Sequence, residues 1–167
     1  MAPSRDDQLR EGLALAAVAQ ARLAVFAQKA SVQWRRREAE LFAALAASAG
    51  VHLRRFTMLL RGKVGDTAGN LAEAAGGMLP GLLKRYAELV AAADQAGESV
   101  AGSALDQAAQ VLSRQVELAG AAQDGPGEDE PYLLCPVCGW LALGQAPDNC
   151  PVCGCIAAKF QPMEPAA

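Results

Sequence analysis

The residues of this chain best suited to chemistry are its cysteines, all of which lie towards the C-terminal end. Four of the five form two CxxC pairs. Two residues between paired cysteines let both sulfurs of one tight turn reach a single ion, and the glycine after each pair permits a positive φ. The pattern predicts one tetrahedral metal site with four thiolate ligands: Cys135, Cys138, Cys150 and Cys153.

Thiolate tetrahedra accept Zn²⁺ or a single iron ion, and the spacing does not separate the two metals. A disulfide framework is disfavoured, because the N-terminal residues do not read as a secretory signal and reducing cytosol keeps thiols free. Cys155 is interpreted as a spare thiol rather than as a fifth ligand. A module of about 35 residues is smaller than the roughly 40 below which chains usually need a metal or disulfides, so metal binding and folding are expected to be one event.

The composition suits a folded cytoplasmic protein that does not bind nucleic acid. Of the 167 residues, 52% are hydrophobic, and the formal net charge is −3. Nucleic-acid-binding proteins usually carry a basic stripe, whereas the basic run here is limited to Arg35, Arg36 and Arg37. No window reaches about 18 uncharged apolar residues, so no membrane span is predicted.

The elements that must position the cysteines are predicted to be helices followed by a tether. Apolar residues at helical spacing predict helices over about residues 6–30, 33–60, 68–93 and 98–119. Glycine, proline and acids from 120 to 131 cannot bury themselves and are interpreted as a linker. The predicted domains are a helical bundle (1–120), a flexible linker (121–131), the cysteine module (132–161) and a disordered tail (162–167).

Two local signals refine the third helix. Asp66 or Thr67 offers a side-chain oxygen to the free amides at its start, which predicts an N-cap. Pro80 lacks an amide donor and predicts a kink near Gly76 and Gly77.

The C-terminal stretch resembles the rubredoxin-like module of the rubrerythrins. Tyr132 precedes the first cysteine, Trp140 follows the first CxxCG, the second pair stands in the pattern APxxCPxCG, and Lys159 and Phe160 end the stretch. The gap between the pairs is one residue shorter than is usual in the family. The resemblance implies one iron ion in the four thiolates, carrying single electrons, with the three aromatic residues keeping water off the sulfurs.

The helical residues resemble the ferritin-like bundle of the same family, so the predicted fold class is mainly α, a four-helix bundle followed by a rubredoxin-like or zinc-ribbon module. The family's di-iron site needs Glu on two helices and Glu-x-x-His on two others. With His52 as its single histidine, this chain cannot supply them. The aligned positions otherwise hold Ala16, Ala49, Gly77, Pro80, Leu112 and Gln115.

The polar residues left in the helices are given structural roles. His52 is interpreted as a satisfied polar residue in or beside the core, with a residual metal or ligand role as the alternative. The acids are expected on solvated faces: Glu11, Glu38, Glu73, Glu88 and Glu117.

The connection between the second and third helices is too short for a ferritin-like bundle within one chain. A helix of about 27 residues is roughly 40 Å long, whereas the five residues 62–66 reach at most about 17 Å. The helices are therefore predicted to run up-down-up-down, or to pack on a partner chain in a homodimer, swapped or unswapped.

Two functions stay open from the sequence. The first is electron transfer between an iron centre and an unidentified redox partner protein. The second is a non-redox scaffold in which the same cysteines hold structural Zn²⁺. Peroxide reduction, the oxidoreductase activity that the resemblance implies, is disfavoured because the di-iron ligands are absent.

Overall fold

The structure, a computed structural model, describes residues 3–60, 64–123 and 130–164. The chain divides near Gly65 into two compact units, and each contains a helical hairpin. The small C-terminal sheet belongs to the second unit. The predicted fold class, mainly α with a small C-terminal module, is confirmed.

The first unit consists of helices α1 (Arg5–Val32) and α2 (Arg36–Leu59). A capping box begins α1, since the Ser4 hydroxyl accepts a hydrogen bond from the Asp7 amide and the Asp7 carboxylate accepts one from the Ser4 amide. This satisfies two amides that the helix itself leaves unpaired.

The two helices of this hairpin approach closely through small residues. A β-carbon at Gly50 would lie 2.8 Å from Gln20 Nε2, the free end of a flexible side chain, so an added methyl group would require that side chain to move. Nearer the turn, the rings of Phe26 and Phe42 meet edge to face, with centroids 5.6 Å apart. The turn itself holds Trp34 at a φ of 60°.

Helix α1 is long and apolar enough, by length and composition, to cross a membrane. The sequence expectation of no span rested on the lack of an uncharged window, whereas α1 contains an 18-residue apolar window with at most two charged residues. Core helices of soluble proteins have a similar length and composition but are mostly buried, whereas 6% of the apolar window of α1 is buried within the chain.

The second unit begins with one continuous helical stretch. It consists of α3 (Thr67–Glu73), a π-helical segment (Ala74–Met78) and α4 (Leu79–Gln95). The interruption falls where Pro80 predicts a kink, and the Leu79 amide donates to the carbonyl of Ala74. Proline has no amide N–H to donate to the carbonyl four residues back. The regular α-helical hydrogen bonding is therefore interrupted at this turn.

Helix α5 (Ser99–Gln123) packs on α4. Gly102 lies at this interface, where a β-carbon would be 3.3 Å from Asp94 Oδ1. Helix α5 runs three residues into the stretch assigned to the linker from 121 to 131. Residues 124–129 of that linker lie outside the described residues.

The C-terminal module is a three-stranded antiparallel sheet with two cysteine-bearing turns. Strands β1 (Tyr132–Leu134), β2 (Leu141–Leu143) and β3 (Gln161–Pro162) are ordered β2-β1-β3. Leu133 in the central strand pairs with Ala142 on one side and with Pro162 on the other. Of the predicted tail, Pro162 thus belongs to the sheet, and residues 165–167 lie outside the described residues.

Candidate metal centre

Each CxxC pair forms a tight turn that ends in a glycine. The Gly139 amide donates to the carbonyl of Cys135, and the Gly154 amide donates to that of Cys150, both over 2.9 Å. The two glycines have φ values of 85° and 72°, which side chains with a β-carbon rarely adopt. The predicted role of these glycines is confirmed.

The two turns face each other and bring all four predicted ligands together. Their sulfurs all lie within 4.8 Å of one another. Across the turns, Cys135 Sγ is 3.6 Å from Cys153 Sγ, and Cys138 Sγ is 3.5 Å from Cys150 Sγ. This donor set fits one tetrahedrally coordinated Zn²⁺ or iron ion.

One ligand of each pair is buried and the other is partly exposed. Cys135 is 0% exposed and Cys150 is 3% exposed, whereas Cys138 and Cys153 reach the surface. An ion held here would therefore be covered on one side by protein and accessible through sulfur on the other.

Backbone amides point at the sulfurs. Burial raises the pKa of Cys135, but hydrogen bonds from the amides of Cys138 and Val137 and from neighbouring thiols outweigh it and lower that pKa to about 6. Burial, together with the hydrogen bonds of the neighbouring thiols, raises the pKa of Cys138, although its sulfur accepts a hydrogen bond from the Trp140 amide. One thiolate is therefore favoured before metal binds, and further thiols must lose protons as an ion enters.

Cys155 lies outside the group of four sulfurs. Its backbone contributes to the site, because its carbonyl accepts a hydrogen bond from the Cys150 amide over 2.7 Å and its amide donates to Cys153 Sγ. Its own sulfur lies 3.8 Å from the carbonyl oxygen of Ile156. Its backbone therefore supports the site, and its thiol also hydrogen-bonds with that of Cys135.

Two of the three predicted aromatic residues pack together beside the site. The rings of Trp140 and Phe160 meet edge to face, with centroids 6.3 Å apart. Tyr132 lies on β1 and is exposed. Sequence reasoning missed Arg114 of α5, whose guanidinium lies over the Trp140 ring. No local signal could have found it, since it lies in an ordinary helical pattern on the far side of the linker from the module.

The described helical residues, unlike the cysteine module, contain no candidate metal site. Within residues 3–60, 64–123 and 130–164, the cysteine cluster is the one group of three or more His, Cys, Asp or Glu side chains placed to hold an ion. The same residues include no buried polar or charged side chain. The expectation that the helical acids are solvated is confirmed, since none of them is buried: Glu11, Glu38, Glu73, Glu88 and Glu117.

The interpretation of His52 as a residue in or beside the core is wrong. Its side chain is exposed and stacks on Phe56, with ring centroids 6.2 Å apart. The face of α2 turned to α1 is occupied by small residues such as Ala46 and Gly50, which are buried in its place.

Comparison with known proteins agrees with the geometry of the module. Residues 134–161 match the family described as the rubredoxin-like domain of rubrerythrin. No curated protein matches the chain.

Solved structures extend the similarity to the helices. Three structures of nigerythrin, described as mixed-valent, partially reduced and fully reduced (all ferrous), are each 25% identical to this chain. Each match covers 98% of this chain and 88% of nigerythrin, with TM-scores of 0.54, 0.53 and 0.54. The resemblance stated from the sequence is therefore confirmed over both the helices and the cysteine module.

Proposed function

We propose that this rubrerythrin-like protein, whose residues 134–161 are a rubredoxin-like domain, transfers single electrons through one iron ion bound by four thiolates. The ligands in this proposal are Cys135, Cys138, Cys150 and Cys153. The observation that carries it is the convergence of four sulfurs within 4.8 Å inside a domain of this family. Iron bound by four thiolates supplies a one-electron ferrous/ferric couple.

The redox states of nigerythrin support iron as the metal. That protein has been solved in mixed-valent and all-ferrous forms. In the present chain, amide hydrogen bonds to Cys135, Cys138 and Cys153 stabilise thiolate charge. The partly exposed sulfurs of Cys138 and Cys153 give a redox partner access to the centre.

A second candidate is a scaffold protein with structural Zn²⁺ in the same site. One observation favours it: the described residues place no other group of potential metal ligands in the helices. Under this alternative the module folds around zinc and binds a protein without redox chemistry.

The visible spectrum of aerobically purified protein, read together with its metal content, separates these functions. The electron-transfer proposal expects about one iron per chain and charge-transfer bands that bleach with dithionite and return in air. Because thiolates also take up zinc, the protein is prepared from iron-supplemented and from zinc-supplemented cultures. Colourless zinc protein from both cultures would refute electron transfer, and two further iron ions per chain would favour peroxide reduction.

The proposed partners are a redox protein and a second copy of this chain, both in the cytoplasm, without nucleic acid or membrane. A homodimer, swapped or unswapped, is supported by an apolar stripe on α1. Val18, Val25 and Val32 recur every seven residues and are 59%, 59% and 76% exposed. An apolar stripe of this spacing is typical of helix-to-helix packing between chains.

Sedimentation velocity tests the homodimer. Val25→Glu places a charge on the stripe and should shift the protein towards monomer, whereas Ala24→Glu places the same charge off the stripe and should not. A wild-type chain that sediments as a compact monomer would rule out both dimer forms.

A further inference from the structure

One side chain of helix α5 contacts the cysteine module at two consecutive residues. The Nε of Arg114 donates to the carbonyl oxygen of Leu141 over 3.3 Å. Its guanidinium carbon lies 5.5 Å from the centroid of the Trp140 ring, the distance of a cation–π contact. Arg114 also forms an ion pair with Glu117 one turn further along α5, with Nη1 and Oε2 3.1 Å apart.

The same face of α5 supplies an apolar contact next to Arg114. Val111 precedes Arg114 by three residues and is 6% exposed, so both side chains lie on one face of the helix. A β-carbon at Gly139 would lie 4.0 Å from Val111 Cγ1. Residues 139–141, which directly follow Cys138, therefore lie along this face.

We infer that Arg114 is a positioning residue, which holds the metal module in one orientation on the α4–α5 hairpin and places a positive charge beside the metal centre. The planar guanidinium suits this task because it can stack on an indole and donate a hydrogen bond at the same time. Lysine can supply the charge and the cation–π contact, but it lacks the fork of fixed donors.

The contact between Arg114 and Trp140 is also connected to a metal ligand, Cys138. Trp140, on which Arg114 stacks, donates its amide to the sulfur of Cys138. An iron centre in four thiolates becomes one charge more negative on reduction, so a neighbouring cation stabilises the reduced form more than the oxidised form. This electrostatic part rests on the proposed function, whereas the docking part holds for either metal.

The docking is tested by ¹⁵N relaxation on full-length zinc-loaded protein, which is diamagnetic. Arg114→Met keeps the length of the side chain and removes the charge and the donors. Arg85→Met is the matched control, because Arg85 pairs with Glu88 on α4 at the same spacing, within a single helix. Far-UV circular dichroism checks that both variants retain their helices.

We expect the amides of the wild-type module to tumble with the same correlation time as those of α4 and α5. In Arg114→Met the module should tumble faster than the hairpin, and in Arg85→Met the two should stay equal. The docking role is overturned if the wild-type module already tumbles independently, or if the two methionine variants do not differ.

Potentiometric titration of the iron-loaded proteins tests the electrostatic part. The midpoint potential should fall in Arg114→Met and be restored towards the wild-type value in Arg114→Lys, while Arg85→Met should match the wild type. An unchanged potential in Arg114→Met overturns the electrostatic role. A centre that takes up no electron in any of the proteins refutes the proposed function instead and leaves the relaxation result valid.

Discussion

The cysteines divide into four that converge and one that does not, and the difference lies in the direction of their side chains. Cys153 and Cys155 are only two residues apart, yet Cys153 joins the cluster through its sulfur, whereas Cys155 contributes hydrogen bonds of its backbone. The residue scale therefore offers a direct test of which thiols are ligands.

Cys135→Ser should lower the metal content well below the roughly one ion per chain expected for a closed tetrahedral site, because a hydroxyl is a poor replacement for a buried thiolate ligand. Cys155→Ser is the matched control and should keep the full metal content. Elemental analysis of the purified variants measures both. Equal metal loss in the two variants would show that Cys155 is a ligand too.

Gly154 permits a comparison that isolates backbone strain. Its φ is 72° and nothing lies within 4 Å of the position of an added β-carbon, so Gly154→Ala should cost only the conformational strain, about 1–2 kcal/mol. Because folding of the module and metal binding are coupled, metal affinity should fall roughly 5- to 30-fold.

Competition with a chromophoric chelator measures that affinity. The control is Gly120→Ala on α5, which also has free space around the added carbon but lies in a helix, where alanine is favoured by about 0.5–1 kcal/mol. Gly120→Ala should leave the metal affinity unchanged. An unaltered affinity in Gly154→Ala would show that the turn does not need its positive φ.

At the scale of elements, the helices begin and break at residues with an identifiable local cause. Asp66, one of the two predicted caps, accepts a hydrogen bond from the Gly69 amide over 2.8 Å and so begins α3. Pro80 follows the π-helical segment, where the sequence predicts a kink. Both features depend on a few neighbouring residues and on no distant contact.

Asp66→Ala should destabilise the start of α3 by about 1 kcal/mol, because the Gly69 amide loses its acceptor. Hydrogen exchange at the Gly69 amide should accelerate accordingly, while amides in α1 stay as they are. Asp66→Asn retains a side-chain oxygen and should exchange nearly as slowly as the wild type. Slow exchange in Asp66→Ala would mean that another group caps the helix.

At the scale of the whole molecule, the cysteine module and the helices depend on different sources of stability. Cys135 is the one residue of the described ranges with 0% exposure, and it belongs to the metal site. The module therefore lacks a core that could hold its three short strands without an ion. The helical hairpins instead bury mostly small residues such as Ala46, Gly50, Ala93 and Gly102, together with Val111 and Leu112 on α5.

Removing the metal with a chelator should unfold the module and leave the helices intact. Hydrogen–deuterium exchange should show loss of protection in β1 and β2, with α1 and α2 unchanged, and the circular dichroism at 222 nm should fall only slightly. Restoring Zn²⁺ should restore the protection. Strands that stay protected without metal would show that the module folds on its own contacts.

What the sequence determined by itself is local. The CxxC turns, the glycines with positive φ and the cap at Asp66 each depend on residues a few positions apart. The interruption before Pro80 is of the same kind. The causes of these features are ligand spacing, steric limits on φ and unpaired amides. Each cause acts within a single turn of chain, so the features could be predicted from the sequence.

The remaining features depend on how distant segments of the chain meet in the folded molecule. Exposure of His52 follows from which face of α2 packs on α1, and helical spacing alone leaves that choice open. The contact of Arg114 with Trp140 requires the module to lie on one particular face of α5. Packing of this kind is set by the summed burial and hydrogen bonding of both surfaces, which no single stretch of the sequence contains.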